Sequence, residues 1–462
     1  MDIEFGTDGW RTTTAAFTAP RVRAVGQAVV DYLRADGADG AIAVGYDPRE
    51  DSRPAAEELC RVLCAGGYDV VLPPRDAPTP VVAWTVVDRG LAGALQVTAS
   101  HNPPTDNGIK FIPSDGAPAL PAVTDRLAAE LKPPEPLERA RWGTVEETDL
   151  VGPYLEHALS FVGGDLDGQR IAYDAMHGSG RGVTDELLGR AGATVETRRG
   201  RADPTFGGTA PEPTADALAE LVRTVRSGAF DLGIANDGDA DRLAVVTPAR
   251  GVVDPNWLFA ALYDARLERR DRDRDRGGDA VRTVSTTFLI DRIAAAHGHA
   301  AHETPVGFKW VAEAMADRDA LVGGEESGGF GFTGHLRNKD GVLLALAAAA
   351  AHAEEPLDER LDRLREEHGD IVQDRRSVGC PDDRKAAVVE ELSEALPESI
   401  AGTEIDRVGR TDGFKLFLSD GSWLLIRPSG TEPKLRVYAE AGTEGRLEEL
   451  LAAGVALLEP IV

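Results

Sequence analysis

Hydrophobic positions along this chain switch repeatedly between two periods. Residues 20–30 space their apolar side chains as an amphipathic helix entered at Pro20, whereas residues 41–47 form a short apolar run that predicts a buried strand. The exchange repeats as helix over 53–63, strand over 69–72, helix over 79–87 and strand over 92–97. Such alternation predicts a mainly parallel sheet covered by helices. It restarts near 171–174 and near 283–288, with further helices over 154–161 and 256–267. Beyond Gly369 the rhythm changes, and strands over 414–418, 422–426 and 435–438 follow closely, the first two joined by a Ser419-Asp420-Gly421 turn. Linkers are marked by Pro133, Pro134 and Pro136 and by the turn at 247–251. The expected fold is therefore three successive α/β domains with mixed, mainly parallel sheets, over 1–148, 149–250 and 251–368, and a smaller C-terminal α+β domain over 369–462.

Composition narrows the class. A chain of 462 residues is too long for one ordinary core. It has no apolar run long enough to span a membrane and no basic, apolar-cored start, so a cytoplasmic protein with no membrane partner is expected. Three cysteines, Cys60, Cys64 and Cys380, do not make a disulfide framework, and buried free thiols are expected. The net charge of −28 would repel nucleic acid. So large a single-sign field strains the fold by self-repulsion. Salt relieves it, the Debye length being about 3 Å at 1 M, so a salt-rich, halophilic cytoplasm is the expected setting. Only seven of the 50 basic residues are lysines, yet Lys110, Lys309, Lys339 and Lys434 all fall in the segments that carry candidate chemistry. Lysine, unlike arginine, can give up its proton when its surroundings shift its pKa. The alternating charges over 269–276 read as a solvated loop or helix end.

Four loops carry that chemistry. Thr98-Ala99-Ser100-His101-Asn102-Pro103 follows the strand over 92–97, so Ser100 sits at the C-terminal end of a strand, where open α/β sheets place their sites. Asn236-Asp237-Gly238-Asp239-Ala240-Asp241-Arg242 joins two apolar runs, and its three spaced carboxylates suit a hard cation such as Mg²⁺. A calcium loop of the EF-hand type fails, because Arg242 and Pro248 stand where Gly and Glu are needed. Glu325 and Ser327, two apart in a glycine-rich segment, can project to one side and meet vicinal hydroxyls. Arg427-Pro428-Ser429-Gly430-Thr431, with Lys434 and Arg436, is a basic, hydroxyl-rich loop fit to grip phosphate. Two smaller pieces join them: a glycine-rich turn over 5–11 offering Arg11, and Lys309 just before a helix over 311–315.

In this order, from Phe5 to Tyr438, the segments resemble the α-D-phosphohexomutase family of phosphoglucomutases, phosphomannomutases and phosphoglucosamine mutases. The resemblance implies four domains around a central cleft. It implies that Ser100 carries a phosphoryl group and that Ser100, Asp237, Asp239 and Asp241 hold Mg²⁺. It implies that Arg242 contacts the phosphoserine phosphate, that Arg11 joins the catalytic set, that Lys110 is the acid/base, and that Glu325, Ser327, Lys309 and Lys339 meet the sugar or its phosphate. Arg427, Ser429, Gly430, Thr431 and Arg436 match the grip on the non-reacting phosphate. The reaction implied interconverts hexose 1-phosphate and hexose 6-phosphate through a hexose 1,6-bisphosphate. The loop around Glu325 resembles the phosphoglucomutase version, having neither Met after the Glu nor His after Ser-Gly. A mannose or glucosamine phosphate substrate, a phosphoserine-forming phosphatase and a catalytically idle sugar-phosphate binder are the rivals. No oligomeric state is specified. His101, adjacent to Ser100 on an extended segment, is expected to face away from it.

Overall fold

The computed structural model describes residues 3–6, 9–273, 277–430 and 432–462, with the backbone alone described over 271–273. By internal contact the chain divides into two units, Met1–Ala265 with Ser327–Arg360, and Arg266–Glu326 with Leu361–Val462.

The first unit holds two mixed sheets. In the larger, of seven strands, Ile42–Tyr46 lies between Gly93–Val97 and Val70–Leu72, all parallel. Each of these strands is buried along its whole length, which is why they read as apolar runs. Helices Ala19–Ala35, Ser52–Ala65 and Thr79–Arg89 bear the predicted apolar faces. The other flank is antiparallel: Gly93–Val97 pairs with Asp106–Pro113, which pairs with Gly9–Thr13. Arg11 therefore lies on a strand opposite Gly108, not in the glycine-rich turn expected over 5–11; Thr7 and Asp8 lie outside the described residues. The five-stranded sheet places Leu232–Asn236 between parallel Arg170–Asp174 and antiparallel Leu243–Thr247. The aspartate loop is thus the connection of a hairpin whose last pair is Asn236 and Leu243.

In the second unit, Ala280–Thr283 pairs in parallel with Ala301–Thr304 and Val322–Gly324. The strand expected near 283–288 ends at Thr283, whose hydroxyl hydrogen-bonds those of Ser285 and Thr286 in the turn that follows. Lys309 lies inside the helix Phe308–Arg318, whose N-cap is Gly307, and not before it. The C-terminal α+β part is a wholly antiparallel six-stranded sheet. Helices Lys385–Ala395 and Glu444–Leu458 contribute Val388, Leu392, Leu447, Leu450 and Leu451 to the core on that sheet. The stretch of alternating charge ends the helix Pro255–Asp273, and Arg274 to Arg276 lie outside the described residues. Cys60, Cys64 and Cys380 are buried and free. No helix among the described residues is long and apolar enough to cross a membrane.

Candidate active site

Strand Gly93–Val97 delivers Ser100 to a buried position in a left-handed backbone conformation, φ 53°. The Ser100 hydroxyl donates to Asp237 Oδ2 at 3.0 Å and lies 3.3 Å from His101 Nδ1. This corrects the expectation for His101. Adjacent side chains oppose each other only on extended backbone, and the left-handed turn at Ser100 swings the imidazole back beside the hydroxyl. Burial, with the nearby Arg242 and Arg11 charges, pushes the His101 pKa down to about 2, so the ring is neutral at any working pH. Arg11 reaches the same loop, donating to Asn102 Oδ1 at 3.3 Å.

Asp237, Asp239 and Asp241 each offer an oxygen within 4.8 Å of the others, and all are buried. Asp237 Oδ1 accepts from the Arg242 amide at 3.1 Å. Asp239 Oδ2 accepts from Thr79 Oγ1 at 2.6 Å and from Lys110 Nζ at 3.0 Å. Asp241 Oδ2 accepts from Lys110 Nζ at 3.0 Å and lies 2.9 Å from Lys339 Nζ. Burial pushes the Asp237 carboxyl well up, and the charges of Asp239 and Asp241 push further. Burial also opposes ionisation of Asp241, but the Lys110, Lys339 and Arg242 cations overcome it and hold that carboxyl well below the usual range.

These residues fit a hard divalent cation. Asp239 Oδ1 and Asp241 Oδ1 are buried without a hydrogen-bond partner, a costly state for carboxylate oxygens that a bound cation would relieve. The loop is held from behind by Asn236, whose Nδ2 donates to the carbonyls of Arg242 at 2.9 Å and Gly341 at 3.0 Å. Gly341 has no alternative there, since a Cβ would meet Arg242 O at 2.3 Å. Thr79 and Asn236 were not singled out by sequence; Thr79 is 160 residues from its partner, and no local pattern encodes such a pairing.

The second unit carries the remaining candidates. Glu325 is buried and its Oε1 accepts from the Gly307 amide at 3.1 Å, at the start of the helix that bears Lys309. Lys309 Nζ lies 5.8 Å from the Trp310 ring centroid. Arg427 donates from Nε to Asp412 Oδ2 at 2.9 Å, and the same oxygen accepts from the Val306 amide. Arg436 donates to Glu432 Oε2 at 2.7 Å, and Lys434 lies 2.6 Å from Glu432 Oε1. Lys385 ties the loop from beneath, donating to the carbonyls of Ser429 and Glu432 at 2.6 Å each. Asp412 and Lys385 were missed because they come from segments with no phosphate-loop signature. Ser429 is buried and Gly430 exposed, while Thr431 lies outside the described residues. Ser327, in the first unit, is exposed on a turn.

Comparison with known proteins covers the whole length. The sequence matches the phosphoglucomutase/phosphomannomutase alpha/beta/alpha domains I over residues 2–136, II over 153–251 and III over 254–368, and the C-terminal domain over 378–457. It is 31% identical to a phosphoglucomutase/phosphomannomutase of Thermococcus kodakarensis, covering 98% of both chains. It is 33% identical to a probable phosphoglucosamine mutase of Methanothermobacter thermautotrophicus, covering 88% of this chain and 87% of the other. Its fold matches a solved phosphoglucomutase/phosphomannomutase family protein of Burkholderia thailandensis at TM-score 0.85 and 22% identity, over 99% and 97% of the two chains.

Proposed function

The chain belongs to the phosphoglucomutase/phosphomannomutase family of α-D-phosphohexomutases, and from that premise we propose that it interconverts glucose 1-phosphate and glucose 6-phosphate through phosphoserine at Ser100. The observation that carries this reading is the buried Ser100 hydroxyl 3.0 Å from Asp237, with Lys110 bridging Asp239 and Asp241. A phosphatase needs a phosphate acceptor site, but not a second grip such as Arg427, Ser429, Gly430, Thr431 and Arg436 for a phosphate that does not react.

The steps follow from the residues. Phosphorylated Ser100 faces the free hydroxyl of a bound sugar phosphate. The sugar oxygen bonds to phosphorus as the bond to Ser100 Oγ breaks, giving a 1,6-bisphosphate. After the sugar reverses, Ser100 Oγ takes the other phosphoryl group. Arg242 and Arg11, whose charges act on His101 beside Ser100, neutralise the charge spread over the transferring group, where fixed positive charge is worth most. Lys110 Nζ, held between Asp239 and Asp241, exchanges a proton with the sugar hydroxyl. Mg²⁺ held by Ser100 through its phosphate, Asp237, Asp239 and Asp241 would supply further neutralisation of the phosphoryl charge. Arg427 and its loop hold the phosphate that stays, Glu325 and Ser327 take the sugar hydroxyls, and Lys309 and Lys339 supply ammonium groups to sugar or phosphate oxygens. The four-domain division at 148, 250 and 368 and a cytoplasmic setting belong to the same proposal.

Glucose is favoured by the Gly324-Glu325-Glu326-Ser327-Gly328-Gly329 loop, with neither the Met nor the His of the phosphomannomutase version. Purified protein in high salt with Mg²⁺ and a trace of glucose 1,6-bisphosphate is offered glucose, mannose and glucosamine 1-phosphates in turn. Fastest turnover of the glucose ester supports the reading, and fastest turnover of either other ester overturns the sugar preference alone. Isomerisation of none overturns the mutase reading, and full activity in Ser100→Ala overturns the assignment of Ser100 as its nucleophile.

A further inference from the structure

Ser100 holds a backbone conformation that costs a non-glycine residue on the order of 1 kcal/mol and persists only where surrounding contacts impose it. Those contacts come from one buried pair that lies about fifty residues away, at the end of strand Ile42–Tyr46. Arg49 is 3% exposed. It has five N–H groups, and each finds an acceptor. Nη2 donates to the carbonyls of Ser100 and Asn102, both at 2.8 Å. Nη1 donates to the carbonyls of Pro103 at 2.7 Å and Asp106 at 2.9 Å. Nε donates to Asp47 Oδ2 at 2.9 Å.

Asp47 completes the clamp from the other side. Its Oδ2 also accepts from Thr98 Oγ1 at 2.7 Å, and Thr98 Oγ1 in turn accepts from the Ser100 amide at 2.8 Å. Its Oδ1 accepts from Ser52 Oγ at 2.7 Å and from the Arg49 amide at 3.1 Å. Both backbone groups of Ser100, the N–H through Thr98 and the C=O directly, are therefore tied to one ion pair. The Phe206 ring lies 4.9 Å from the guanidinium carbon. Gly238 of the aspartate loop packs onto the same Ser100 carbonyl, where a Cβ would come within 2.7 Å. Four of the five N–H groups of Arg49 are spent on the backbone of the serine loop and the fifth on Asp47.

We infer that Arg49, paired with Asp47, is a positioning residue for phosphoryl transfer, holding Ser100 in the left-handed conformation that aims its oxygen at the aspartate loop. The inference rests on the reading of Ser100 as the phosphoryl carrier. A planar five-donor fork is required, so lysine, with three donors on a flexible stem, does not replace it.

The test measures single-turnover phosphoryl transfer from the phosphorylated enzyme to glucose 1-phosphate, with KM from steady-state rates. Arg49→Ala slows transfer on the order of 10²-fold, as expected for a misplaced reacting atom, while KM stays within about twofold. Added guanidinium chloride restores the rate saturably, which general loss of structure would not allow. Arg49→Lys is not restored to the wild-type rate. Thr98→Val removes the acceptor of the Ser100 amide at nearly constant volume and slows transfer by about tenfold or more, and Thr98→Ser recovers it. Wild-type transfer rates in folded Arg49→Ala overturn the inference. If Arg49→Ala does not fold, Thr98→Val decides alone, and an unchanged rate in it overturns the inference. Activity in Ser100→Ala would instead overturn the underlying reading, so the two failures are told apart.

Discussion

Lys415 gives a stability prediction whose size can be worked from its surroundings. Its ammonium is buried in the second unit, donating to Val284 O at 2.6 Å and Glu303 Oε2 at 3.1 Å, with the Phe288 and Trp423 rings each 4.2 Å away. Burial, then the Arg282 charge, lowers its pKa to about 7, although Glu303 and Glu440 pull the other way. In the unfolded chain the same lysine keeps its proton to about pH 10.4. Between those values the unfolded state binds more protons, so stability rises with pH, with a limiting slope of ~1.4 kcal/mol per pH unit. From pH 7 to 8.5 the gain is about 1.6 kcal/mol, short of the limit because Lys415 is half deprotonated at the start. From about pH 8 upward Cys60 and Cys64 work against it, since burial pushes both thiols up, Cys60 to about 12, and the unfolded thiols ionise first. The assay is urea unfolding of wild type and Lys415→Met at pH 7, 7.5, 8 and 8.5, followed by tryptophan fluorescence, Trp423 lying in the Lys415 cage. Wild type gains stability across the series and Lys415→Met loses that slope. Equal slopes in the two proteins would refute the reasoning.

Other consequences concern the site directly. Asp239→Asn removes a carboxylate from the metal cluster and weakens Mg²⁺ binding tenfold or more by calorimetry; unchanged affinity would remove Asp239 from the ligand set. Arg427→Ala deletes a charged phosphate contact of ~1.5–3 kcal/mol and raises KM for glucose 1-phosphate about 10–100-fold with a smaller effect on kcat. A fall in kcat alone would place Arg427 at the reacting phosphate. Gly238→Ala puts a methyl 2.7 Å from Ser100 O and 2.8 Å from Pro211 Cγ, so both thermal stability and turnover drop. A net charge of −28 makes Tm rise as KCl is raised from about 0.1 to about 2 M, and a flat response would count against adaptation to salt.

Much of this arrangement is written in local pattern. Strands Ile42–Tyr46 and Gly93–Val97 are buried on both faces, so they read as apolar runs, and the loops bearing Ser100 and the three aspartates follow such runs directly. Strand Asp106–Pro113 was not legible as a strand, because its first residues, Asp106, Asn107 and Gly108, carry turn chemistry. Val372–Gly379 and Thr403–Gly409 hid for another reason: most of their side chains are polar and lie outside the core. What pattern could not supply is the backbone state of Ser100 and the partners that impose it. Thr79 on Asp239, Arg49 on the serine loop and Lys385 beneath Ser429 are pairings across long separations, set by tertiary packing. The misjudged orientation of His101 has the same origin, since one left-handed residue reverses the side-chain geometry of an extended segment.

The central claim is that Ser100 passes a phosphoryl group to sugar and takes one back. The direct measurement loads the protein with a radiolabelled phosphoryl group from labelled glucose 1,6-bisphosphate, maps it by peptide mass spectrometry, and chases with unlabelled glucose 1-phosphate in Mg²⁺. The prediction is label on Ser100 that moves quantitatively into glucose 1,6-bisphosphate and glucose 6-phosphate. Label on another residue, or its release only as inorganic phosphate, would contradict the account.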